Sequence, residues 1–210
     1  MGQSMLLNFF GGVSQDGSGW AVDFDKVLYE LGRWLLSIGI CLLAEGVWLE
    51  KWRKIELLSR YRYKTVHVWW RRKFVKGLWN GSITAASLFL AAMAADMVRG
   101  AGIAEEGGRV FVLWFVHVMT IMAFFLVLDL GRLRGLAPAI LLLLEGVTFL
   151  LGFMRVETGR FMYGMWGMYF QSGWHFGETG IPVSGSLICQ GILLALIYYI
   201  GNCAMAKEPL

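Results

Sequence analysis

The sequence predicts an all-α, polytopic membrane protein, and three observations carry that prediction. Of its 210 residues, 57% are hydrophobic and only 16% charged, against about 25% charged in soluble domains, and the mean hydropathy is +0.58. Five stretches approach the roughly 20 apolar residues needed to cross a hydrocarbon core of about 30 Å. Ten of the 19 Lys and Arg fall between Lys51 and Lys76, a clustering that marks a cytoplasmic loop. The 27 Gly against three Pro suit helices that approach one another closely in lipid.

Taken in order, residues 1–20 lack the basic n-region and long apolar h-region of a secretory signal, so no cleavage is expected there. The spans are expected at about 27–49, 78–98, 110–130, 136–154 and 185–205, and the first contains Arg33 and Glu45. No repeat of 20 to 50 residues is evident, so residues 1–210 read as a single transmembrane domain. With the basic segment inside, alternation puts the N-terminus outside, 99–109 outside, 131–135 inside, 155–184 outside and the C-terminus in the cytoplasm. The other loops agree: Arg132 and Arg134 lie in the short inside turn, whereas Arg155 and Arg160 are the only cations in the 30-residue outer segment. A multi-pass protein of the plasma membrane is expected.

Two segments and a few side chains stand out as functional candidates. The stretch from Glu50 to Gly77 mixes cations with Trp52, Tyr61, Tyr63, Trp69, Trp70 and Phe74, as in an amphipathic helix lying along a membrane surface. Trp52, Ile55 and Leu58 form one helical stripe, but Arg62 interrupts its continuation towards Val66. Such a segment serves either as a topology-fixing linker that binds anionic lipid or as a docking element for a cytoplasmic partner. The outer stretch 161–178 is dense in aromatics and Met, yet Gly164, Gly167 and Gly173 interrupt it, so short interfacial or re-entrant helices are expected. Glu145 sits mid-span in Leu-Leu-Leu-Leu-Glu-Gly-Val, where an ionisable group is costly and faces protein or a water-filled cavity. Glu45 is a weaker case, and Asp96 and Asp129, near span ends, are expected at the interface. Cys41, Cys189 and Cys203 lie in apolar runs without paired spacing and read as buried small hydrophobes.

Several chemistries are excluded. A haem held between helices needs two axial ligands, but only His117 lies in a span, with His67 and His175 in loops on opposite sides. There is no HExxH cluster, Walker A, GxSxG or GxGxxG motif. No cofactor, metal or catalytic residue is therefore expected, and any ATP used is hydrolysed by another chain. The basic charge is explained by topology, so nucleic acid is not an expected partner.

The order of these elements carries a resemblance. The run from Leu49 through Glu-Lys-Trp-Arg-Lys-Ile-Glu-Leu-Leu-Ser-Arg-Tyr-Arg-Tyr63, then Trp69-Trp-Arg-Arg-Lys-Phe74, and the closing outer aromatic segment before Ser184-Gly-Ser-Leu-Ile-Cys-Gln-Gly, resemble the membrane subunits of ABC-2-type exporters. The likeness is to the small permeases of peptide or bacteriocin export and immunity in Gram-positive bacteria, over roughly 27–210. It implies a permease that moves a peptide or lipid-like substrate, pairs with a second permease or with itself, and draws energy from ABC ATPase subunits. The five spans would match the family's second through sixth; Met5-Leu-Leu-Asn-Phe-Phe is too short to be the first. The basic segment then falls at the coupling position, implying docking by Arg60, Arg62, Trp69, Trp70, Arg71 and Arg72. Glu145 and Trp166 become candidates for a substrate pathway. A non-transporting scaffold or regulatory subunit of a larger complex is the alternative that the same residues allow.

Overall fold

The computed structural model describes residues 4–14, 24–63, 65–100, 105–131, 134–154 and 161–206, without the side chains of 56–62, 134 and 154. The described residues form seven α-helices and no strand: α1 (Met5–Phe10), α2 (Phe24–Arg62), α3 (Val66–Val98), α4 (Gly107–Leu128), α5 (Ala137–Met154), α6 (Gly173–Phe176) and α7 (Val183–Ala206). Four of them, α2, α3, α4 and α7, are long and apolar enough to cross a membrane, and the fourth expected span is the shorter apolar α5.

The basic segment differs from expectation. It is not a separate surface helix: α2 runs unbroken to Arg62 and α3 begins at Val66. No Gly or Pro occurs between Gly46 and Gly77, so nothing stops α2 where its apolar stretch ends. At the start of α3 the Thr65 hydroxyl accepts from the Val68 N–H and caps the helix. At the other end of α3, Gly100 takes φ +71° and ends the helix.

Long-range contacts sort the helices into two ends. At the capped end the Asp96 carboxylate, in the last turn of α3, accepts from Ser4 Oγ at 2.6 Å, Met5 N at 2.6 Å and Leu6 N at 3.0 Å. The Met5 and Leu6 N–H groups are donors a helix start leaves unpaired, so Asp96 holds in place a six-residue helix too short to persist alone. Leu6 and Phe10 then bury their side chains, Phe10 against Phe89 and Trp114. Ser14 donates to Glu30 near the start of α2. At the basic end, His67 Nδ1 of α3 meets Asn202 Oδ1 of α7 at 2.7 Å, and Arg53 and Lys73 reach Asp129 just past α4.

Helix α4 packs against α1, α2, α3, α5 and α7 and is the core of the bundle, as befits a helix that is apolar all round. By contrast α7 turns Ile188, Ile192, Leu196 and Tyr199 outward, and α3 turns Trp79, Ile83 and Leu90 outward. Cys41 is buried as expected, but Cys189 lies on the outward face of α7. Asp96 and Asp129, expected at an interface, are almost wholly buried because each has partners inside the protein.

The segment 161–171 folds back into the bundle from the capped end. The turn Tyr163–Met165 packs on α5, where the Gly164 N–H donates to Thr148 Oγ1 at 3.0 Å. Two glycines permit this depth: a Cβ on Gly164 would lie 2.5 Å from the Glu145 carbonyl oxygen, and one on Gly167 would lie 2.5 Å from His117 Cβ. The Phe170 N–H donates to the Gly11 carbonyl and Gln171 Nε2 to the Val13 carbonyl, which fastens the N-terminal residues over the inserted segment.

Gly164→Ala should therefore cost about 1–3 kcal/mol and lower the melting temperature of the detergent-purified protein. Gly191→Ala, a mid-helix position where nothing lies within 4 Å of the added carbon, should not lower it and should stabilise by up to about 1 kcal/mol.

Candidate functional site

Ionisable side chains are rare in these helices, and the structure gathers them at three levels. At the basic end Asp129 receives Lys73 Nζ at 3.0 Å on one carboxylate oxygen and the Arg53 guanidinium on the other. One carboxylate thus ties α2 and α3 to the end of α4. Lys73 is as deeply buried as Asp129 because its helical neighbours Trp69, Trp70 and Phe74 are buried too. Trp70 Nε1 donates to the Tyr198 carbonyl of α7 at 3.0 Å, and Lys73 lies over the Trp69 ring.

This geometry corrects the expected docking set. Trp69 and Trp70 are 1% and 0% exposed and anchor α3 inside the bundle, so neither offers a surface to a partner. Arg71 and Arg72 do lie on the surface, where with Val75 and Lys76 they line a shallow cavity of about 350 Å³. Arg72 also stacks on Tyr63. The side chains of Arg60 and Arg62 fall outside the described residues, although their backbone continues α2.

One level deeper, Asn80 Nδ2 of α3 donates to Glu45 Oε2 of α2 at 2.8 Å. Glu45 is fully buried, so it belongs to the interior rather than to an interface.

The third level is the centre of the bundle. Glu145 Oε1 of α5 accepts from Trp34 Nε1 of α2 at 3.0 Å and lies 2.8 Å from His117 Nε2 of α4. Glu145 and His117 are 1% and 0% exposed. The Tyr163 ring of the inserted segment covers His117, with centroids 4.6 Å apart, and Trp166 packs edge-on to Tyr163. The Trp166 carbonyl accepts from Ser186 Oγ of α7 at 2.9 Å. Glu145 and Trp166, singled out separately in the sequence, therefore share one neighbourhood through Tyr163. Trp34 and His117 were not expected there; the only sign was that each is a polar-tipped residue within an apolar span. Among the described residues no group of three or more His, Cys, Asp or Glu side chains converges as metal ligands would.

No family model, curated protein or solved structure matches this chain. The reading of the site accordingly rests on its geometry.

Asp129→Asn should leave two cations facing a neutral amide in a buried place, costing about 3–5 kcal/mol. Pairing Lys73→Met with Asp129→Leu removes the two fully buried charges and leaves only the partly exposed Arg53 unpaired, so it should restore part of that loss. Thermal melts of both variants in detergent check the order.

Proposed function

We propose that this chain is the membrane-spanning permease subunit of an ATP-driven exporter of the ABC-2 type, moving a peptide or lipid-like substrate. A separate ATPase supplies the energy. Five crossings, with α5 as the fourth, put the N-terminus outside and the C-terminus in the cytoplasm of a plasma-membrane protein. A second permease or a second copy completes the pore.

The observation that carries the reading is the braced basic hairpin. Helices of 39 and 33 residues are about 58 and 50 Å long at 1.5 Å per residue, well beyond the roughly 30 Å of hydrocarbon. Their surplus lies on the basic end, where Asp129 holds Arg53 and Lys73 and α3 packs on α7 through Trp70 and His67. A partner pressing on the hairpin moves α2 and α3 as rods, and the buried charges pass that push to α4. Further support comes from the order of parts: a basic turn between the first two long helices and an inserted aromatic segment before the last. Docking falls to Arg71 and Arg72, with Arg60 and Arg62 on the opposite arm. Glu145 and Trp166 flank the place where a pathway would open if the inserted segment moved.

Co-expression with ATPases encoded beside this chain, followed by purification in detergent, tests the proposal. The wild type should carry the ATPase and stimulate its turnover. Arg71→Glu with Arg72→Glu should weaken association about tenfold or more while the melting temperature stays unchanged. Full association of that variant, or no ATPase partner for the wild type, would favour a scaffold subunit instead.

A further inference from the structure

At the centre of the bundle, three polar atoms lie buried without a hydrogen-bond partner: Glu145 Oε2, His117 Nδ1 and Tyr163 Oη. They belong to side chains already in contact, since His117 meets Glu145 at 2.8 Å and Tyr163 stacks on His117. A buried polar atom left unpartnered in a native fold calls for a specific cause. Here the three come from three different elements, α5, α4 and the inserted segment, and converge where lipid-facing helices offer no water.

We propose that Glu145 and His117 form a proton-binding site, and that the proton they hold keeps the inserted segment 161–171 seated against α5. With one shared proton the pair is neutral overall, whether it is written as carboxylic acid with imidazole or carboxylate with imidazolium. Losing that proton leaves one uncompensated negative charge in an apolar interior, the costliest state for such a site. Among the described residues no other group in contact offsets it. The titratable side chains facing Glu145 are His117 from α4 and Tyr163 from the inserted segment. From α2 comes the non-titrating Trp34, while Arg33 on the same helix is turned over the Tyr29 ring. Gln190 of α7 addresses the Trp166 carbonyl and Ser186.

The inserted segment covers this pair. Gly164 and Gly167 bring its backbone against the Glu145 carbonyl and His117, and Tyr163 covers the imidazole. Water reaches the carboxylate only when the segment lifts, and the charged carboxylate is stable only when water reaches it. Proton loss and unseating are therefore one event: the proton leaves to the entering water, and the freed Oε atoms take hydrogen bonds from that water. Proton return restores the neutral pair and the dry contact. This property belongs to the bundle itself and does not depend on an ATPase partner.

The full chain in phospholipid vesicles provides the test, followed by infrared spectroscopy and amide hydrogen exchange between about pH 5 and pH 9. Measured against Glu145→Gln, the wild type should show an additional protonated-carboxyl band, beyond any from the buried Glu45, that fades as pH rises. Over the same range, exchange in 161–171, corrected for its intrinsic pH dependence, should rise about tenfold or more. Glu145→Gln mimics the proton-bound state, so its segment should stay seated at every pH and the band should be missing. If that variant does not fold, His117→Gln carries the test, and the midpoint of the fading band should move. A carboxyl band indifferent to pH, a Glu145→Gln response matching the wild type, or an unmoved midpoint in His117→Gln would each overturn the proposal.

Discussion

Lipid offers no hydrogen bonds, so every polar side chain on these apolar helices must find its partner within the chain. Helix α4 is where most of those partners meet. Between Arg109 and Asp129 it carries a single ionisable side chain, His117, about 18 Å from Asp129 along the axis. His117 takes its partner from α5, and Asp129 takes two, from α2 and α3. Trp114 Nε1 of α4 also donates to Ser37 Oγ of α2 at 3.2 Å; the apolar surface that remains could slide or rotate against its neighbours at little cost, since packing alone fixes register weakly between lipid-exposed helices. These polar contacts remove that freedom and set where α2, α3 and α5 stand relative to the axis.

The two ionisable contacts differ in kind. Asp129 is saturated by two cations, and an arrangement of this sort resists change because removing any member strands charge. The Glu145 pair is lightly held, with oxygen and nitrogen atoms to spare and a cover made of a non-helical segment rather than a helix. The proposed permease activity would need both qualities in one bundle. The part that receives force must be stiff, and the part that lets something through must have a second arrangement within reach.

Much of this was legible in the sequence. Apolar lengths located the four long helices and α5, and glycine spacing announced the irregular segment between α5 and α7. Glu145 stood out because an ionisable group among leucines is costly unless a neighbouring helix bonds it or water reaches it. Other features were hidden by locality. Nothing local to Trp69-Trp-Arg-Arg-Lys-Phe says which side chains turn inward; only the arrival of α7 and Asp129 decides that Trp69, Trp70 and Lys73 are core while Arg71 and Arg72 are surface. The expected surface helix failed for a related reason. Aromatic and basic residues suit a membrane surface and a protruding helix equally, and the absence of any helix breaker between Gly46 and Gly77 was the better guide. Asp96 was misplaced because its partners lie 90 to 92 residues away in sequence, a separation that no window on the chain can span.

That remote clamp has a mechanical meaning. One uninterrupted helix, α3, carries His67 and Arg71 near one tip and Asp96 near the other. A helix is stiff along its length and has no joint here, so a tilt imposed at the basic tip reappears at the far tip with opposite sense. Asp96 grips the N-terminal donors of α1, and the residues after α1 are fastened to Phe170 and Gln171. The six-residue α1 is thus a latch on the lid of the bundle, worked by a rocker arm whose handle lies at the opposite end.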